Sequence, residues 1–334
     1  MPRVVAWEVT KECNLACRHC KADARDIARA RHSDERSQPR LELTTSEAVA
    51  FIESISLFRP LIIFTGGEPL LRSDLETLIE HAARLDLRTA LATNGLLIDE
   101  RKARSLKEDG LSAVSVSVDS ADAEAHDSVR GVIGAHDGAL KAAKAMAKAG
   151  VSVQINTTVT KANVSTLPAI KDTVRASGAD AWHLFFLVPT GRGDVSDLVP
   201  TREYYEALSW LEELENAQSD ISLRPTCAPQ YRLHEGRRGC LAGVSYAFIS
   251  CDGTVQPCGY LPVDVGNIRR RSFAEIWQNS RTLKRLRSPS LWNGACAACV
   301  YGETCRGCRA RAFAMSGNCL GDDPYCGGMN IRVR

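Results

Sequence analysis

Val4-Val5-Ala6-Trp7-Glu8-Val9-Thr10-Lys11-Glu12-Cys13-Asn14-Leu15-Ala16-Cys17-Arg18-His19-Cys20 is the stretch that decides the fold of this 334-residue chain. Residues 4–10 predict a strand, and three cysteines with the spacing C-x3-C-x2-C follow it directly. Three thiolates can bind three irons of a cubane [4Fe–4S] cluster and leave the fourth iron open, whereas an electron-transfer cluster takes four cysteines. A zinc site is the alternative, but zinc takes four ligands and no fourth lies nearby. Cys13, Cys17 and Cys20 therefore predict a redox cluster with an open position.

Short apolar segments and amphipathic segments alternate after this stretch. The predicted strands are residues 4–10, 61–65, 88–93, 113–119, 151–160 and 182–188, and the predicted helices are residues 45–57, 74–85, 99–109, 138–149 and 167–177. Such alternation favours a parallel sheet, so we predict an α/β protein built as a partial (β/α)6 TIM-type barrel. Its active site is expected at the carboxyl ends of the strands. The polar, arginine-rich residues 24–40 predict a mobile surface loop.

The cysteine distribution indicates metal binding. Three of the 13 cysteines lie within residues 13–20, none lies within residues 21–226, and the others follow from residue 227. In a reducing compartment such cysteines are more often metal ligands than disulfides. No apolar run approaches the ~20 residues of a membrane span, and the N-terminus lacks the apolar core of a signal peptide. We therefore expect a cytoplasmic protein without a membrane partner.

Regular periodicity weakens from Cys227 onward. We predict a barrel domain over residues 1–195, a linking helical segment over 196–226 and a small, irregular, cysteine-rich domain over 227–334. Asp252-Gly253 between two short apolar segments predicts a β-hairpin there. The last of these domains contains 15 Lys and Arg against 7 Asp and Glu. Nucleic-acid binding is one interpretation; because no aromatic residues interleave with the basic ones, we expect instead that they balance anionic clusters.

The cysteine triplet after a first barrel strand resembles the radical S-adenosylmethionine (SAM) superfamily. The resemblance implies that SAM is cleaved to a 5′-deoxyadenosyl radical, with a reduced flavodoxin or ferredoxin as electron donor. It also implies that Gly66-Gly67-Glu68-Pro69 binds the amino group of SAM, where paired glycines allow close approach to a ligand. Further SAM contacts implied in this way are His19 near the adenine and, near the ribose or carboxylate, Ser117, Asp119 and Asn156. Ser and Asp at strand ends also commonly cap loops.

The C-terminal cysteines resemble the SPASM extension of that superfamily. The first part of the pattern is Cys240-x12-Gly253-x4-Cys258. The second part is Cys296-x2-Cys299-x5-Cys305-x2-Cys308, and Cys326 comes after it. The gap between Cys305 and Cys308 is usually three residues. The resemblance implies two auxiliary [4Fe–4S] clusters, hence three in all, with Cys251 and Cys319 left over. Their implied ligands are Cys227, Cys240, Cys258 and Cys308 for the first, and Cys296, Cys299, Cys305 and Cys326 for the second. The alternative is a zinc ribbon of Cys296, Cys299, Cys305 and Cys308.

Several sequence segments also resemble the radical SAM enzymes of alternative haem and haem d1 biosynthesis. These segments are residues 7–10, 185–193, 227–229, 256–261 and 308–312. This implies an iron-porphyrin substrate, with two propionates of Fe-coproporphyrin III decarboxylated to vinyls to give haem b. The alternatives are a sibling enzyme acting on sirohaem derivatives and a peptide maturase. Peptide maturases often begin with an extra domain, whereas this chain starts its first strand at once. Sulfatase activators place an Asp where Gly259 stands.

Such a substrate needs cationic side chains, since Arg binds carboxylates in a bidentate way, although an Arg can equally be a solvated surface residue. His is able to ligate haem iron. The candidates for carboxylate binding are Arg192, Arg232, Arg237 and Arg238, and those for haem iron are His183 and His234.

Overall fold

The computed structural model describes residues 1–27, 41–217 and 221–326. Its strands are β1 (Val4–Glu8), β2 (Glu12–Cys13), β3 (Arg25–Asp26), β4 (Leu61–Thr65), β5 (Thr89–Thr93), β6 (Ala113–Ser117), β7 (Ser152–Val159), β8 (Ala181–Phe186), β9 (Ser222–Thr226), β10 (Tyr246–Ile249), β11 (Thr254–Gln256) and β12 (Gly266–Asn267). Of the predicted loop over residues 24–40, the start forms β3, and residues 28–40 lie outside the described ranges.

The helices follow the strands as the sequence predicts. They are α1 (Thr45–Ser56), α2 (Leu75–Arg84), α3 (Glu100–Glu108), α4 (Ala123–Arg130), α5 (Ala135–Lys148), α6 (Leu167–Ala176), α7 (Thr201–Asn216), α8 (Phe273–Asn279), α9 (Arg281–Arg287), α10 (Ala295–Ala298) and α11 (Arg309–Ser316). Helix α1 begins at a capping box, in which the Thr44 hydroxyl accepts from the Glu47 amide and the Glu47 carboxylate accepts from the Thr44 amide at 2.8 Å. Such reciprocal bonds satisfy two donors that the helix leaves unpaired.

One ten-stranded sheet organises the described residues, in the order β12-β11-β10-β1-β4-β5-β6-β7-β8-β9. The six predicted strands are neighbours and parallel, which confirms the partial barrel of the α/β class. The sequence did not predict β9, a further parallel strand beside β8. The predicted hairpin forms from β10 and β11, and β10 pairs parallel with β1. The cysteine-rich region therefore continues the sheet of the barrel.

Buried and half-exposed residues alternate along the strands and show which face of the sheet packs against helices. In β7, Val153, Ile155, Thr157 and Val159 are buried and their neighbours are not. Because successive side chains of a strand point to opposite faces, the second face lines the barrel interior. Trp7 of β1 packs edge-on against Phe51 of α1, which in turn meets Phe273 of α8. The C-terminal region and the barrel therefore share one core.

Among the described residues, no helix is both long enough and apolar enough to cross a membrane.

Candidate active site

Three cysteine side chains meet where β1 and β2 end. Cys13 and Cys17 are buried and Cys20 is half-buried. Burial, together with the smaller effects of Cys17, Glu68 and Cys20, raises the pKa of the Cys13 thiol to about 12. The amide of Leu15 donates to the Cys13 sulfur at 3.4 Å. Three thiols grouped in an apolar pocket with Leu15 and Ala135 fit a cluster that keeps one iron free.

The paired glycines hold this cysteine loop against β4. The Gly67 amide donates to the Thr10 carbonyl and the Glu68 amide to the Glu12 carbonyl, both at 2.8 Å. A Cβ on Gly66 would lie 2.5 Å from the Thr10 oxygen, and one on Gly67 would lie 2.3 Å from the Glu12 oxygen. Among the described residues, the close approach that the glycines allow is to the chain's own backbone, and their contact with SAM stays a prediction.

Glu68 is fully buried and ties this motif to β5. Its carboxylate accepts from the Thr93 hydroxyl at 2.8 and 3.0 Å, from the Asn94 amide at 2.8 Å and from the Leu70 amide at 3.1 Å. Burial nevertheless raises the pKa of Glu68 to about 7. A contact with the amino group of SAM stays a prediction, and the four bonds fix where that carboxylate lies. Pro69 then starts a short 3₁₀ turn.

A buried charge network lies behind the cysteines. The Arg130 guanidinium, at the end of α4, is 2.6 Å from the Asp119 carboxylate and 3.8 Å from the Cys17 sulfur. Nε2 of His19 lies 3.3 Å from the same carboxylate. Burial would raise the pKa of Asp119, but Arg130 and His19 hold it well below its usual range. Asp119 and His19 therefore orient the loop, and their contacts with SAM stay predictions.

Arg192 supports the cysteine loop from the other side. Its side chain donates to the carbonyls of Cys17 and Ala24, each at 2.9 Å, and pairs with Asp23 at 3.2 Å. Gly191 approaches so closely that a Cβ would lie 2.3 Å from the Cys20 carbonyl. The guanidinium that the sequence suggested for substrate carboxylates therefore binds the backbone of the loop.

A row of polar side chains crosses the interior of the barrel. Ser117, Asn156 and His183 are register partners on β6, β7 and β8, and Arg224 continues the row on β9. The Asn156 side chain accepts from Gln154 at 2.5 Å. Burial and the charge of Arg224 lower the pKa of His183 to about 3, so its imidazole is neutral near pH 7. Ser117 and Asn156 thus lie together on the predicted ligand face.

Four cysteines form one group centred on Cys308. The Cys227 and Cys308 thiols are hydrogen-bonded, Cys258 lies beside them, and Cys240 lies near Cys258 and Cys308. Cys227 has a φ of 57°, a left-handed conformation that a residue other than glycine adopts only where its surroundings impose it. The structure therefore brings together the four cysteines implied for the first auxiliary cluster.

A second group of cysteines lines a small pocket that is partly open to solvent. Its members are Cys296, Cys299, Cys305 and Cys326. The Arg309 guanidinium donates to the Cys296 sulfur at 3.7 Å. Since Cys308 belongs to the first group, the zinc ribbon that the sequence left open is not the grouping observed. Within residues 1–27, 41–217 and 221–326, no three His, Cys, Asp or Glu side chains converge as ligands of a single ion.

Asp323 connects the two groups. Its carboxylate forms a two-pronged ion pair with Arg311, with Nε–Oδ1 and Nη2–Oδ2 distances of 2.8 Å, and both side chains are fully buried. It also accepts from the Cys308 amide at 2.7 Å and from the Tyr325 amide at 3.2 Å. One carboxylate therefore anchors the backbone beside Cys308 and the backbone beside Cys326.

The other cationic candidates differ in their surroundings. Arg232 pairs with Glu215 and Glu235, and Arg237 pairs with Glu215. Arg238 and His234 are exposed, and His234 lies 3.5 Å from Glu235. The sequence missed Arg130, Asn94 and Asp323, since an isolated Arg, Asn or Asp in a helix end or loop carries no motif. Asn94 donates to the Asn14 side chain at 2.7 Å, which joins β5 to the cysteine loop.

A partial parallel barrel with three cysteines at the carboxyl end of its strands, extended by two further cysteine groups, defines the class of barrel enzymes that carry iron–sulfur clusters. Residues 7–173 match the family model described as "Radical SAM superfamily", and residues 240–309 match the SPASM model described as "Iron-sulfur cluster-binding domain". The chain belongs to the radical SAM superfamily. It is an enzyme that uses SAM and a radical SAM iron–sulfur cluster, and it carries a SPASM domain for auxiliary cluster binding.

Relatives and solved structures agree with this assignment. The chain is 41% identical to the "AdoMet-dependent heme synthase" of Methanosarcina barkeri, over 97% of this chain and 96% of that protein. It is 32% identical to the "Fe-coproporphyrin III synthase" of the same organism, over 97% and 87%. The structure of Streptococcus suis SuiB bound to S-adenosylmethionine superposes with a TM-score of 0.76 at 17% identity, over 98% of this chain and 77% of SuiB, which shows a shared fold.

Proposed function

We propose that this enzyme oxidatively decarboxylates two propionates of Fe-coproporphyrin III to vinyls and so forms haem b. The relative named AdoMet-dependent heme synthase supports the substrate, because its similarity extends over almost the whole of both chains. The observation that carries the reaction type is the set of eight cysteines in two groups next to the barrel. They support two auxiliary clusters, and hence an electron acceptor close to the substrate.

The chemistry of the substrate explains why an acceptor is needed. A propionate that loses a β-hydrogen atom becomes a carbon radical, and it reaches the vinyl only by releasing CO2 and one further electron. When bound, the cluster on Cys13, Cys17 and Cys20 supplies the electron that splits SAM, and the resulting 5′-deoxyadenosyl radical takes that hydrogen atom. The C-terminal cysteines would hold an auxiliary cluster that, when bound, would supply an acceptor for the last electron, and we propose a reduced flavodoxin or ferredoxin as the donor of the first.

The residues of the chain position the reactants and exclude water. Glu68, held by Thr93 and Asn94, sets the carboxyl-end edge at which SAM is expected. Ser117 and Asn156 present polar groups from the neighbouring strands. Holding the reacting carbon close to the radical converts an encounter between two molecules into an intramolecular step, which is the main catalytic contribution such a site makes.

Anaerobic incubation of the reconstituted enzyme with SAM, dithionite and Fe-coproporphyrin III tests this proposal. We expect the mass of the porphyrin to fall by CO2 and two hydrogens for each of two propionates, with deoxyadenosine formed alongside. The Cys13→Ala variant is the control for the radical. Deoxyadenosine without any change in the porphyrin would refute the substrate, and conversion of didecarboxysirohaem instead would favour the sibling activity.

A further inference from the structure

Lys21 extends from the radical SAM cysteine loop to the first group of C-terminal cysteines. It directly follows Cys20, and its ammonium nitrogen lies 4.8 Å from the ring centroid of Phe248 and 5.2 Å from that of Tyr260. Tyr260 is two residues beyond Cys258, whose pKa the charge of Lys21 lowers against the larger effect of burial. The Lys21 ammonium therefore lies between the site where the radical forms and the site proposed to accept an electron.

Gly259 makes room for this ammonium. A Cβ at that position would lie 2.7 Å from the Lys21 nitrogen and 2.9 Å from Cδ2 of Phe248. Any side chain there would have to displace Lys21, including the Asp that sulfatase activators carry at the corresponding position. Where sulfatase activators have a carboxylate, this chain therefore has the ammonium of Lys21, which comes from the cysteine loop.

The charge of Lys21 acts on Glu8 and Cys258, but it has no carboxylate in direct contact among the described residues. Glu8 is the nearby acid, but it is buried and accepts from the Cys251 amide at 3.3 Å. Half-buried ammonium groups on aromatic faces are partly desolvated, which strengthens their attraction for an anion.

An aromatic wall leads from Lys21 into the barrel. The Tyr260 and Phe185 rings are 6.3 Å apart, and the Phe185 and His183 rings are 6.4 Å apart. The planes of neighbouring rings are tilted by 35° and 44°, so they offer both faces and edges to an aromatic ligand. This wall and the cation at its end are together suited to an aromatic molecule that carries a carboxylate at its edge.

We propose, on the basis of the proposed function, that Lys21 binds one of the propionate carboxylates that the porphyrin keeps. An ammonium bound to a reacting carboxylate would stabilise the anion relative to neutral CO2 and oppose its release. A carboxylate that stays gains from the same contact, because the anchor holds the macrocycle through both decarboxylations. Lys21 is thus a positioning residue, and it binds substrate and product alike.

Anaerobic absorbance titrations with Fe-coproporphyrin III and with haem b test this proposal on the reconstituted enzyme. Lys21→Met should raise the Kd for both porphyrins by a similar factor, roughly 10- to 100-fold, as expected for a lost charge-assisted hydrogen bond. Lys21→Arg should restore part of the affinity. Gly259→Ala should also weaken binding, because it displaces an intact Lys21. Lys144→Met, which removes an exposed lysine from α5, is the matched control.

The possible results separate this proposal from the function on which it rests. Lys21→Met with the affinities of Lys144→Met would overturn the role of Lys21 and leave the proposed function intact. A loss confined to Fe-coproporphyrin III would assign Lys21 to a reacting carboxylate and overturn the proposal as stated. Reduced deoxyadenosine formation from SAM without porphyrin would place Lys21 in the SAM site and equally overturn it. A wild-type enzyme that binds neither porphyrin would overturn both proposals.

Discussion

The Arg311–Asp323 ion pair is expected to stabilise both C-terminal cysteine groups, and Asp323→Asn tests this. The carboxylate contacts Arg311 through both oxygens and also receives the Cys308 and Tyr325 amides. An asparagine of the same size keeps one acceptor oxygen but loses the charge. The Arg311 guanidinium, which also donates to the Cys227 carbonyl at 2.9 Å, would then be a buried charge without its counterion.

The size of the effect follows from the burial of the pair. Removal of one partner of a buried ion pair destabilises a protein by about 3–5 kcal/mol. The lost acceptor weakens one of the two amide contacts as well, by about 1 kcal/mol. Together these changes shift the local opening equilibrium of the cysteine-rich region by more than about 100-fold. Iron bound in that region should therefore be lost first.

The assay measures bound iron and sulfide in a Cys13→Ala/Cys17→Ala/Cys20→Ala background, where bound iron belongs to the C-terminal cysteines. We expect Asp323→Asn to lower the iron content and the temperature at which cluster absorbance is lost. The control is Asp264→Asn, which changes an exposed carboxylate bonded to Gln256. Arg311→Met/Asp323→Leu should recover only the part lost to the unpaired charge, because it leaves the Cys308 and Tyr325 amides without their acceptor. Equal iron content and stability in Asp323→Asn and Asp264→Asn would refute this reasoning.

Three further predictions concern the radical SAM site. Gly67→Ala should abolish cluster loading, measured as iron content, because its Cβ would lie 2.3 Å from the Glu12 carbonyl; Gly178→Ala, with nothing within 4 Å, should only add the strain of its φ of 77°. The pKa of Glu68 is raised to about 7 by burial, so its contribution to stability is present at low pH and is lost as pH rises through about 7. Unfolding free energies of the SAM-free protein, measured as pH rises from 4.5 to about 7, should therefore fall in the wild type relative to Glu68→Gln. Equal pH dependence of the two proteins would contradict the raised pKa of Glu68. Arg130→Met should lower the reduction potential of the cluster in an EPR-monitored titration, since a cation 3.8 Å from the Cys17 sulfur favours the more negative reduced state, whereas Arg130→Lys should change it less.

The sequence was sufficient for the barrel because local signals determine its elements. Apolar segments such as residues 61–65 matched β4, and the segment over residues 167–177 matched α6 to within a residue. Strand β9 was missed because Ser222-Leu223-Arg224-Pro225-Thr226 contains one buried apolar residue and a proline. An edge strand such as β9 tolerates a proline, because one side of it has no neighbouring strand that needs its amides. It also lacks the continuous apolar run by which the buried strands were predicted.

The site was only partly predictable, because cysteine spacing identifies ligands and not the residues that hold them. Ser117, Asn156 and Glu68 reach the expected edge, since parallel strands end together. Arg192 donates to the Cys17 carbonyl, 175 positions away in the chain, and its contact with a substrate carboxylate stays a prediction. Contacts over such separations depend on the packing of loops, which no local pattern encodes. The grouping of Cys308 with Cys227 depends on packing in the same way.

The pairing of β10 with β1 fixes the position of the C-terminal hairpin relative to the cysteine loop. Val4 to Trp7 are in register with Tyr246 to Ile249, so the strand that leads to the first cysteines is joined by backbone hydrogen bonds to the hairpin before Cys258. The distance between the proposed source and acceptor of electrons is therefore set by strand pairing and not by the connecting chain. A one-residue slip of β10 would alter that distance and turn every side chain of the hairpin to the wrong face.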